Sequence, residues 1–236
     1  MQPHIIARQF GGLLIAFIVL SIPSLAIREA RAEAEGARTY RITIENLTPA
    51  RGGGASQVLS PPLVVVHSAR FDLFRIGQPA NQSVIDVAED AITATGIAAY
   101  SADPEVARVT AEGSPLPPGQ SQSFEITASG NANRLSLVSM LVNTNDAFTG
   151  INAIHLTGRR SEYLVRAYDA DSEMNDQLRA NIPGPCCGDT GRHGSDESGV
   201  ITNHPGIVGG VGDLDPAIWG WPTSEPVARI VVEPIR

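Results

Sequence analysis

Pro61-Pro62-Leu63-Val64-Val65-Val66-His67 (PPLVVVH) decides the fold class. A short, fully apolar and mostly β-branched run that starts directly after two prolines reads as a buried strand. The same period-two logic extends outward in both directions. Tyr40-Arg41-Ile42-Thr43-Ile44-Glu45 and Ser123-Phe124-Glu125-Ile126-Thr127 alternate apolar with polar residues, as half-buried strands do. Leu135 to Val142 is apolar almost throughout and reads as a core strand. Asn152 to Leu156 returns as a strand after Gly150, Tyr163 to Tyr168 alternates around Arg166, and Val227 to Val232 closes the chain as a β-branched strand. Asn81 to Ala91 carries Val84, Ile85, Val87 and Ala88 with acids opposite, which predicts a short helix or a turn-rich crossover. Short strands with Gly/Pro punctuation and little helical periodicity predict an all-β fold, an antiparallel β-sandwich. Gly184 to Pro222 forms a long Gly/Pro-rich loop before the last strand. It exceeds an ordinary connection, so it is expected to be functional or mobile.

The N-terminus points to export. Met1 to Phe10 carries Arg8 and His4 without an acid, and Gly11 to Leu20 is an uncharged apolar block extended to Ala26. That core falls short of the roughly 20 apolar residues a spanning helix needs, and it ends in small residues as a secretory signal does. Cleavage is expected after Ala26 or Ala32. Residues 1–32 are then signal and linker, residues 38–236 the folded domain, and the processed protein does not span a membrane. The expected location is periplasmic, cell-surface or extracellular. The net charge of -8 argues against a nucleic-acid partner and suits hard cations or simple solubility. All 17 basic residues are Arg, a compositional mark of a GC-rich bacterial genome. Cys186 and Cys187 are the only cysteines and are adjacent, so no disulfide framework staples the domain. They are expected to bond to each other or stay free.

Acidic residues gather after two of the predicted strands. Asp146 follows Leu135 to Val142, and Asp169, Asp171 and Glu173 follow Tyr163 to Tyr168. A three-strand meander over residues 135–168 would put both strand ends at one sheet edge, bringing Asp146 near Asp169 and Glu173. Three carboxylates so placed repel unless a cation fills them, and Ca²⁺ accepts six to eight oxygens in flexible geometry. The cluster is expected to have no His or Cys nearby, which disfavours Zn²⁺ and copper. An EF-hand is excluded: starting from Asp169, Met174 stands where Gly is required and Ala180 where a bidentate Glu is required.

Several ordered blocks resemble the spondin N-terminal domain family. These are Leu59 to His67 (LSPPLVVVH), Phe71 to Ala80 (FDLFRIGQPA), Leu135 to Gly150 ending in NDAFTG, and Tyr168-Asp169-Ala170. The resemblance covers roughly Thr39 to Met174. It implies a C2-like β-sandwich of extracellular or exported proteins, with Ca²⁺ held by one Asp in a loop and by two acids spaced i and i+4. Those positions fall on Asp146, Asp169 and Glu173. Departures from the family pattern are Ala147 in place of an aromatic (Phe148 follows), Asp171 in place of a small residue, and Glu173 where Asp is common.

Other signals are weaker. His67 follows a buried strand and is expected to satisfy a backbone carbonyl. His193 and His204 lie near Asp189, Asp196, Asp213 and Asp215, in a spacing that matches no tight ligand motif. Gly206 to Gly212 fails the dinucleotide test, and G-x-S-x-G, HExxH and C-x-x-C are absent. Asn46-Leu47-Thr48 and Asn81-Gln82-Ser83 are formal glycosylation sequons. Trp219 and Trp221 are placed to stack on a sugar ring or partner, or to pack across the sandwich end. The expected function is a Ca²⁺-binding adhesion module with no catalytic residues, docking a surface glycan, matrix protein or envelope protein. A hydrolase or lyase using His67 or His193, and a passive envelope protein, are the alternatives.

Overall fold

The β-branched and alternating runs become two antiparallel sheets in the computed structural model, which describes residues 36–50, 56–188 and 193–235. The expected signal and linker at residues 1–32, and Asp189, lie outside the described residues. The strands are β1 (Arg38–Asn46), β2 (Leu63–His67), β3 (Val106–Ala111), β4 (Ser121–Ala128), β5 (Arg134–Met140), β6 (Ala147–His155), β7 (Ser161–Val165), β8 (Tyr168–Asp169), β9 (Thr202–Asn203) and β10 (Ala228–Pro234). Helices are α1 (Gln82–Asp90), α2 (Ala94–Tyr100) and α3 (Pro216–Trp219). One sheet runs β4-β1-β10-β7 and the other β3-β2-β5-β6-β8-β9.

The run at residues 63–66 is apolar at every position because its sheet is covered on both faces. Val64 and Val66 join Ile42, Ile44, Ile230 and Val232 in the core between the sheets. Leu63 and Val65 face the other way, into a second core with Val84, Val87, Phe74 and Phe148 beneath α1. Full burial of each such side chain is worth about 1.5–3 kcal/mol, so β2 anchors both layers. Asn81 starts α1 by accepting the Val84 N–H on its side chain at 3.2 Å. This Asn is therefore a helix cap, and Asn46, wholly buried, donates to the Gln57 and Leu116 carbonyls. Both sequons do structural work.

Two expectations need correction. Tyr163–Tyr168 is not one strand: β7 pairs with β10 and β8 with β6, so the chain changes sheets at Arg166-Ala167. There the Arg166 carbonyl accepts the Thr149 hydroxyl at 2.9 Å instead of a ladder N–H. The alternation survives the change because Val165 and Ala167 both enter the core between the sheets. The strand expected from Asn152 begins earlier, at Ala147. Gly150 looked like a turn but lies where a side chain would collide with the Leu137 carbonyl, so it permits close pairing with β5. The edge strand β3, with no fully buried residue, carries too little pattern to be read.

His67 behaves as expected. Its Nδ1 donates to the Ser68 carbonyl at 2.7 Å, Nε2 meets the Ser136 hydroxyl at 2.8 Å, and burial lowers its pKa. Trp221 is buried and stacks obliquely on His204, with ring centroids 5.4 Å apart, which is packing across the end of the fold. Cys186 and Cys187 are bonded to each other. Purified protein is therefore expected to run as the same single band with and without reductant on denaturing gels. A reductant-sensitive dimer would contradict this pairing. No helix of the described residues is long and apolar enough to cross a membrane.

Candidate metal centre

The turn between β5 and β6 is buried from Asn143 to Asp146, which is unusual for a polar Asn-Thr-Asn-Asp segment. All but one of its side-chain oxygens and amides are engaged. Thr144 Oγ1 donates to the Leu141 carbonyl at 2.6 Å and receives the Ala147 N–H at 3.0 Å. Asn143 is held by Gln57 and by the Ser56 carbonyl, and Asn145 Nδ2 donates to Asp176 at 3.1 Å. The turn is thus rigidly set, and it delivers the Asp146 carboxylate into the fold. Asp146 Oδ2 accepts the Ser172 N–H at 2.8 Å, the Glu173 N–H at 3.1 Å and the Ser172 hydroxyl at 3.2 Å. Its other oxygen, Oδ1, is buried and has no hydrogen-bond partner.

Asp169 reaches the same place because β8 pairs antiparallel with β6, Ala147 opposite Asp169. Donor atoms of Asp146, Asp169 and His204 lie within 4.8 Å of one another. Two ionised carboxylates that close repel by roughly 3 kcal/mol or more at an effective dielectric near 20. Burial, reinforced by the Asp169 charge, pushes the Asp146 pKa up to about 8. His204 is fully buried, which drives its pKa down to about 4. The Gly206 N–H donates to its Nδ1 at 2.9 Å, which puts the ring proton on Nε2 facing Asn175 Oδ1 at 2.8 Å. Asn175 in turn donates to Asp169 Oδ2 at 2.7 Å. With both nitrogens in use, His204 orients Asp169 through Asn175, in the manner of a second-layer support. What remains for a cation is oxygen: Asp146 Oδ1 and the Asp169 carboxylate, a hard donor set.

The family model described as Spondin_N matches residues 54–170, a stretch that includes both aspartates. This segment is a spondin N-terminal domain. No curated protein matches the chain. The match suggests an extracellular, adhesion-type module. It ends at Ala170, so Glu173, His193 and His204 lie beyond the matched part of the spondin domain.

The three expected carboxylates divide into two groups of donor atoms. Asp146 and Asp169 gather with His204, whereas Glu173 gathers with Glu89 and His193. Glu173 touches the first group through its backbone N–H on Asp146 Oδ2. The sequence-based view that no His stands near the acids is corrected: His204 and His193 come from the Gly-rich segment, which folds against the β8 loop. Met174 N–H binds the Ser195 carbonyl and Glu197 N–H the Ser172 carbonyl, both at 2.8 Å. Asp171 takes a left-handed φ of 54°, and its Oδ2 accepts the Val200 N–H at 2.9 Å. Its carboxylate therefore faces away from Asp146. Sequence reasoning missed Glu89, Asn145 and Asn175, which no motif spacing links to the aspartates.

Proposed function

We propose that this chain is an exported, non-enzymatic binding module whose spondin domain is stabilised by one Ca²⁺ held by Asp146 and Asp169, with Glu173 bordering the site. The observation that carries the reading is the buried, unpartnered Asp146 Oδ1 beside a second carboxylate. A bound divalent ion supplies the missing partner and cancels the repulsion, and the oxygen-rich donor set favours Ca²⁺ over softer metals. The docking partner is a surface glycan, a matrix protein or an envelope protein. The apolar N-terminal block supports export, and the burial of His67 with both nitrogens engaged supports the absence of acid–base chemistry there.

The test is retention of the processed, tag-free protein on cell envelopes and immobilised polysaccharide, with millimolar calcium or with chelator. Calcium-dependent retention that Asp169→Asn weakens is the expected result. Equal retention in both conditions, or none in either, would sink the adhesion reading.

A further inference from the structure

Glu89, Glu173 and His193 come from α1, the β8 loop and the Gly-rich segment, and their donor atoms lie within 4.8 Å of one another. Glu173 is almost wholly buried, 1% exposed. Its Oε1 accepts the Gly194 N–H and, at 3.4 Å, the Asn145 amide. Its Oε2 is buried without a hydrogen-bond partner and points at His193 Nδ1, 3.5 Å away. Glu89 Oε2 lies 4.0 Å from the same nitrogen. The other ring nitrogen, Nε2, faces Asp90 Oδ2 at 3.4 Å.

We infer that these residues form a second metal site, distinct from the aspartate pair, that takes a borderline divalent cation of the Zn²⁺ type through Glu89, Glu173 and His193 Nδ1, with Asp90 orienting the imidazole. Three observations agree. Zn²⁺ binds imidazole nitrogen and carboxylate oxygen at about 2.0–2.2 Å, which separates ligand atoms by about 3.3 Å in a tetrahedron and somewhat more in wider geometries. The observed 3.5 and 4.0 Å separations are too long for direct hydrogen bonds but suit donors spanned by an ion. A carboxylate on the far ring nitrogen is the arrangement that fixes the tautomer of metal-bound histidines. Finally, Glu89 and Asp90 sit in the last turn of α1, which has no basic residue; there the helix dipole disfavours anions and a cation relieves them.

The mixed nitrogen–oxygen set separates this site from the all-oxygen pair at Asp146 and Asp169. A bound ion would clip the Gly-rich segment at His193 onto α1. The site does not depend on the calcium reading.

The full, tag-free chain, stripped with chelator, is titrated with Zn²⁺ alone and again in excess Ca²⁺, with native mass spectrometry for stoichiometry. One Zn²⁺ per chain is expected, undisturbed by calcium. Since the His193 side chain is 37% exposed, its replacement leaves the cores intact. His193→Ala and Glu89→Gln should weaken binding by about 100-fold or more, and Asp90→Asn by about 10–100-fold. Asp169→Asn should leave Zn²⁺ affinity unchanged while removing any calcium response. Co²⁺ substitution should give visible absorption bands that vanish in His193→Ala. Absence of Zn²⁺ binding, or wild-type affinity in His193→Ala, would overturn the site and show His193 to be only an ion-paired side chain.

Discussion

Metal-free Asp146→Asn protein is expected to melt above metal-free wild type near pH 7, and to lose the calcium response. The folded wild type holds the Asp146 carboxyl protonated up to about pH 8, whereas the unfolded chain ionises near its ordinary value of 3.8. Between those values the folded state binds more protons than the unfolded one, so stability falls as pH rises. The slope is about 1.4 kcal/mol per pH unit for one group, so from pH 5 to 7 the loss is on the order of 3 kcal/mol. Asparagine carries no charge. Its oxygen can keep the bonds from the Ser172 and Glu173 N–H groups, and its amide can donate to Asp169. For a domain of this size the gain corresponds to a melting shift of roughly 6–12 °C, and it fades below about pH 3, where the carboxyl is largely protonated in both states.

Calcium reverses the pH trend in the wild type. The ion competes with the proton for Asp146, so its stabilising effect grows from pH 5 to pH 8. At 100 times its dissociation constant it adds about 2.7 kcal/mol. Asp171→Asn should keep that shift, since the Asp171 carboxylate accepts the Val200 N–H instead of facing Asp146. Differential scanning calorimetry across pH, with calcium and with chelator, decides. If the variant melts no higher than the wild type without metal, the buried pair is not the strained feature its geometry implies.

The parts of the fold that sequence made legible were those in which one periodicity served one environment. The alternation of β1 and β4 and the apolar run of β2 reported their burial directly. So did the closing strand, because each pairs along its length within a single sheet. Tyr163–Tyr168 misled because alternation records which side chains are inward, not which strand accepts the hydrogen bonds; inward side chains continued while the partner changed at Arg166-Ala167. β6 was shortened because Gly150 carries two meanings, turn and close approach, and only the position of the Leu137 carbonyl distinguishes them.

The same limit explains the metal centre. Asp146 and Asp169 were accessible because each follows a run that reads as a strand and falls in a matched family block. Their supports were not. Asn175 and His204 reach Asp169 through a hydrogen-bond relay between segments without periodicity, and Glu89 sits on a helical face that reads as ordinary solvated acid. Side-chain position there follows from how the Gly-rich segment folds back, which local pattern does not encode.

Phe148→Ala is expected to be among the most destabilising single substitutions in the domain. Phe148 is wholly buried and lies in the layer between the six-stranded sheet and α1, with Leu63, Val65, Val84 and Val138. Its ring meets Phe74 edge-on at 5.2 Å and Tyr168 at 5.5 Å, so one side chain joins the Phe71–Ala80 block, β6 and β8. Truncation removes the transfer energy of the ring and leaves a cavity, which costs about 3–5 kcal/mol in well-packed cores. A domain of this size would then melt roughly 6–20 °C lower. The effect also reaches the metal centre, since Phe148 stands two residues after Asp146 and its β6 segment pairs with Asp169. Calcium affinity should fall in Phe148→Ala and largely recover in Phe148→Leu, which refills most of the space. Ile76→Ala, at a side chain 57% exposed, is the contrasting substitution and should change stability by no more than about 0.5 kcal/mol. Denaturant unfolding of the three variants in chelator, followed by calcium titration, separates the packing loss from the loss of binding. A cost below about 1 kcal/mol for Phe148→Ala would mean that the helical layer does not depend on this ring.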